Sequence, residues 1–157
     1  MEYLMTYGWA LLVIAIVISI LVLINPFSPP QGCRFDMVGF TCDAPAFANV
    51  GGNTVLYLRM YNGNNNNILI NATHCTADRT SESPASPAIL ANPILVARQG
   101  NYTIMALPCY RNGALMGATT AGSDFSGKLW VLYRNEEDPS DYPQRVVSAA
   151  ISGKVSR

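Results

Sequence analysis

The first stretch of the chain has no polar face. From Tyr3 to Ile24 it reads YLMTYGWALLVIAIVISILVLI, where Thr6, Ser19 and the tyrosine hydroxyls are the only polar groups. As a helix rising 1.5 Å per residue, this run covers about 33 Å, against about 30 Å for the hydrocarbon core of a bilayer. From Ala10 to Ile24 it is apolar on every side, so it lacks the single stripe with which a helix packs onto a small domain. Pro26, Pro29 and Pro30 in NPFSPPQG end the run and predict a semi-rigid extended linker. The expected layout is a hydrophobic helix over 1–25, a Pro-rich linker over 26–31 and an extracellular globular domain over 32–157.

Beyond Gln31 the pattern changes to short β-branched and aromatic runs bounded by turn formers. Strands are predicted over Arg34–Thr41, Thr54–Tyr61, Asn67–Thr73, Ile89–Ala97, Asn101–Leu107, Gly127–Arg134 and Arg145–Val155. VLYLRMY and KLWVLYR carry the bias of strands with at least one packed face. GGN, NGNNNN, TSESPASP, RQGN and NEEDPSDYP between them read as turns or solvated loops. About seven short strands without a long helical pattern predict a β-sandwich or a similar small all-β domain.

Composition sharpens this picture at the N terminus. The 157 residues hold ten Lys+Arg against ten Asp+Glu, for a formal net charge of zero, which argues against a strongly basic nucleic-acid binder. Charged residues make up 13%, about half the usual globular share, and no charged side chain lies between Glu2 and Arg34. Three readings of the apolar run compete. A secretory signal peptide would carry a positive n-region and an A-x-A-like cleavage site, and neither is seen. A plain membrane anchor would be flanked by Lys or Arg to set its orientation. A filament core accounts for Glu2, a carboxylate beside apolar sequence that would be compensated by a neighbouring subunit's terminal amine.

The residues MEYLMTYGWALLVIAIVI closely resemble the N-terminal segment of archaeal type IV pilins and related class III signal-peptide proteins. The likeness is specific over about the first 24 residues; the rest matches in layout only. The resemblance implies an α+β chain: a long hydrophobic N-terminal helix followed by an immunoglobulin-like β-sandwich. It implies processing by a prepilin peptidase, residence in the cytoplasmic membrane before assembly, and polymerisation by the pilus machinery into an extracellular filament of identical copies. Adhesion or surface attachment would be the function. Glu2, Tyr3, Tyr7, Gly8 and Trp9 are the expected assembly residues, with Gly8 either a bend or close-packing point or simply a tolerated glycine. The rivals are a monomeric membrane-anchored surface binding protein and an archaeal motility-filament subunit.

Cys33, Cys42, Cys75 and Cys109 all follow the apolar run, and their even number in an exported β domain favours two disulfides. Three connectivities are possible; Cys33–Cys42 and Cys75–Cys109 are favoured, the first closing a short loop beside the linker and the second tying two nearby strands. On a loop-entropy basis they contribute about 3 and 4 kcal/mol. Without C-x-x-C spacing and with one histidine, a zinc site is not expected. Asn71-Ala72-Thr73 and Asn101-Tyr102-Thr103 are candidate glycosylation sequons. The solitary His74 next to Cys75 reads as a structural or surface histidine. Glu136, Glu137, Asp138 and Asp141 lack a calcium-loop order and read as a solvated turn. No phosphate-binding glycine loop or catalytic constellation is present, so no enzyme activity, cofactor or nucleic-acid partner is expected.

Overall fold

The computed structural model describes residues 2–24, 30–79 and 87–157; the side chains of residues 2–6, 24 and 88 are not described. Among these residues one helix, α1 (Glu2–Ile24), precedes ten strands. These are β1 (Gly32–Phe35), β2 (Phe40–Cys42), β3 (Ala46–Val50), β4 (Asn53–Asn62) and β5 (Ile68–Thr76). They continue as β6 (Ala88–Val96), β7 (Asn101–Arg111), β8 (Ala114–Leu115), β9 (Asp124–Asn135) and β10 (Arg145–Ser156).

The strands do not form two separate sheets. The hydrogen-bonded path runs β4-β3-β10-β9-β5-β7, and β7 pairs back onto β4, closing a six-stranded barrel. This corrects the expected immunoglobulin-like sandwich. A sandwich needs free sheet edges, whereas here β7 and β10 each belong to both faces and remove them. β7 pairs antiparallel with β4 over Asn101–Pro108, then parallel with β5 at Cys75↔Cys109 and Thr76↔Tyr110. It turns the corner near Ala106, which has φ 49°, opposite a register shift between Leu56 and Leu58. β10 pairs with β9 along most of its length and reaches β3 at Val155↔Phe47 and Ser156↔Ala48. Gly153 makes that second corner possible, because a Cβ there would lie 3.1 Å from the Phe47 ring.

The barrel interior is a packed core. Alternate residues of β9, namely Phe125, Leu129, Val131 and Tyr133, point inward against Leu56, Ile70 and Ile151. Phe47 from β3 stacks on Phe125 with ring centroids 4.2 Å apart. The expected strand over 34–41 is split into β1 and β2 by a turn at Gly39, whose φ of 102° only glycine adopts readily. The asparagine-rich loop is less solvated than expected. Asn62 is 1% exposed; its Nδ2 donates to the Asn66, Val96 and Ala97 carbonyls while its Oδ1 accepts from the Asn64 backbone N–H.

The N-terminal helix also departs from expectation. Among the described residues no helix is long and apolar enough to cross a membrane, so the expected long transmembrane helix is not found there. Side chains are described over 7–23, and at 1.5 Å per residue that portion covers about 26 Å. All of them are exposed. Residue 25 at the end of the expected helix, residues 26–29 of the expected linker and 80–86 of TSESPASP lie outside the described residues.

Candidate functional site

Two surfaces could carry function. The first is α1. Between Tyr7 and Leu23, thirteen large apolar side chains are exposed, including Trp9 at 74% and Leu23 at 83%. Ser19 does not create a polar face, because its hydroxyl donates back to the Ala15 carbonyl at 2.7 Å. Of the expected assembly residues, Tyr7 and Trp9 are exposed and a Cβ at Gly8 would meet nothing within 4 Å. The side chains of Glu2 and Tyr3 lie outside the described residues.

The second is a surface groove of about 510 Å³ beside Pro30, where the linker enters the barrel. Arg34 on β1 and Lys128 on β9 both face Ala150 of β10 in register. Two strand spacings therefore place their Cα atoms about 10 Å apart on one face. Arg79 completes the rim and donates from Nη2 to Ser126 Oγ at 3.0 Å. The Lys128 ammonium sits 5.5 Å from the Trp130 ring centroid, a cation–π placement. Gly32, Gly127 and Ala150 keep the floor low, and among the described residues no acidic side chain lines the groove. Sequence reading missed this group because its three cations come from separate segments that only the strand register brings together.

The acidic turn lies at the other end of the β9–β10 hairpin. Asp138 pairs with Arg145 at 2.9 Å and accepts from the Asn135 backbone N–H at 3.0 Å. Glu136 accepts from Asn67 Nδ2 at 2.7 Å, while Glu137 and Asp141 are exposed. Among the described residues no group of three His, Cys, Asp or Glu side chains could hold a metal ion.

Cys33 bonds Cys42 and Cys75 bonds Cys109, the connectivity favoured from the sequence. His74 stacks on Tyr110 at 4.9 Å, and its buried Nδ1 has no hydrogen-bond partner among the described residues. Burial holds its imidazole below the ordinary 6.5, and the Asp78 carboxylate opposes that shift. The two sequons differ in placement. Asn101 is exposed at the start of β7, whereas Asn71 is half-buried at a β-bulge between Ile70 and Ala72.

Comparison with known proteins found no family model, curated protein or solved structure matching this chain.

Proposed function

We propose that this chain is a structural subunit of an extracellular filament of the type IV pilin kind, polymerising through α1 for adhesion or surface attachment. The exposed apolar surface of α1 carries the reading. Thirteen large apolar side chains, at about 1.5 kcal/mol each, represent on the order of 20 kcal/mol left unrealised in water. Helices of other copies would bury that surface on all sides, which a helix with one apolar stripe does not require. Before assembly the same surface is compatible with lipid, since hydrocarbon and neighbouring apolar helices are alike in polarity. The N-terminal resemblance adds a processing peptidase and the assembly machinery as partners. Two disulfides fit the oxidising exterior that a surface filament meets. The barrel would form the outer layer.

The test is gentle shearing of cells without detergent, followed by electron microscopy and peptide mass mapping. Thin filaments containing these peptides support the reading. A protein that leaves the cell envelope only as a detergent-solubilised monomer refutes it in favour of an anchored surface binder. Within the filament reading, Glu2→Ala is expected to leave the amount of protein unchanged and to slow filament growth. Normal filament yield from that variant would remove the proposed pairing of Glu2 with a neighbouring terminal amine.

A further inference from the structure

We infer that the Arg34–Arg79–Lys128 groove is a socket for the acidic turn, residues 136–141, of a second copy of the chain. The inference rests on the filament reading and supplies a contact between its outer-layer barrels. The chain is neutral overall, yet the cationic groove around Lys128 and the acidic turn lie well apart along the β9–β10 hairpin. From Lys128 to Asn135, β9 runs seven residues, or about 23 Å, so socket and turn of one chain cannot meet.

Both partners are shaped for the contact. In the groove, Ser126 holds the Arg79 guanidinium and the Trp130 ring supports the Lys128 ammonium, so less side-chain entropy is lost on docking. The low floor leaves room for a protruding turn. Among the described residues no salt bridge engages these three cations; the ion pair found there joins Arg145 to Asp138. On the turn, that pair fixes the loop from inside, while Glu136, Glu137 and Asp141 remain exposed. Three carboxylates thus face three cations. A contact between two different surfaces of one chain is heterologous, and repeated without closure it builds an open polymer.

Carbodiimide cross-linking tests this directly, because it joins lysine to carboxylate at contact distance and the chain holds only Lys128 and Lys154. Full-length chains, isotopically light and heavy in equal amounts, are cross-linked as sheared filaments and, separately, in mild detergent at high concentration. The expected product is a mixed-isotope peptide joining Lys128 to Glu136, Glu137 or Asp141. Arg34→Glu is expected to cut its yield about tenfold, with recovery when combined with Glu137→Arg. Filaments lacking that product overturn the socket and leave the filament reading standing. A link from Lys128 to a carboxylate of its own chain, such as Glu82, overturns it as well. So does retention of heparin by the groove with no Lys128 link, which would assign it to a foreign polyanion. Where no filament forms at all, the filament reading fails, and the detergent sample alone decides the socket.

Discussion

Removing the Cys75–Cys109 disulfide probes how the barrel closes. β5 and β7 meet in parallel at two residue pairs, Cys75↔Cys109 and Thr76↔Tyr110, so the covalent bond lies in one of the two short parallel seams of the wall, the other being β3–β10. The cross-link spans 34 residues of sequence, for which the loop-entropy relation gives about 4 kcal/mol at 25 °C. Cys33–Cys42 spans nine, for which the same relation gives about 2.6 kcal/mol. Both seam cysteines are fully buried, so Cys75→Ala/Cys109→Ala also forfeits packing, about 1 kcal/mol more. The pair Cys33→Ala/Cys42→Ala removes partly buried groups and loses less. With a urea m-value of about 2 kcal/mol per molar, the seam variant should unfold about 2.5 M earlier than the parent and the other about 1.3 M earlier. The assay is urea unfolding of the full chain in mild detergent, followed by fluorescence of the buried Trp130 in a Trp9→Phe background. An equal or larger loss from the Cys33/Cys42 pair would refute both the entropic ordering and the importance of the seam.

Gly127→Ala should prevent stable closure near the same seam. A Cβ there would lie 2.1 Å from the Thr76 carbonyl oxygen, a backbone atom that cannot swing aside, and the expected loss is about 3 kcal/mol or more. A thermal midpoint within two or three degrees of the parent, roughly the effect of half a kcal/mol, would contradict that geometry. His74 should make the barrel less stable in acid. Its folded-state pKa is depressed by burial, so the unfolded chain binds the proton more tightly. Its stabilising contribution is full above about 6.5 and is lost as pH falls through the lower folded value. Urea midpoints at pH 7.5 and 5.5 should diverge less in His74→Phe than in the parent; equal divergence would exclude His74 as the source. For the sequons, Asn101→Gln is expected to remove a glycan mass from the native protein and Asn71→Gln to leave the mass pattern intact, since the bulge half-buries Asn71. Intact-protein mass spectrometry distinguishes this from the reverse.

Local chemistry was legible in the sequence. The apolar run from Tyr3 pointed to a helix, though among the described residues α1 is not long and apolar enough to cross a membrane, and β-branched and aromatic runs located β4, β5, β9 and β10 to within a few residues, because dihedral preference and side-chain period are properties of neighbouring residues. Cysteine number and position pointed to the observed disulfides. Other features were settled at long range. β3, with the sequence AFANV, lacks a β-branched run and falls outside the predicted strands, yet it supplies the wall between β4 and β10. Closure depends on the corners near Ala106 and Gly153, where one strand passes from one partner to another, and no local pattern encodes which partner waits there. The burial of Asn62 depends on carbonyls 34 and 35 residues away. The cationic groove likewise exists only because register sets Arg34 and Lys128 on either side of Ala150. Sequence periodicity reports which face of a strand is apolar; only the closed hydrogen-bond network decides what that face, and the one opposite, will meet.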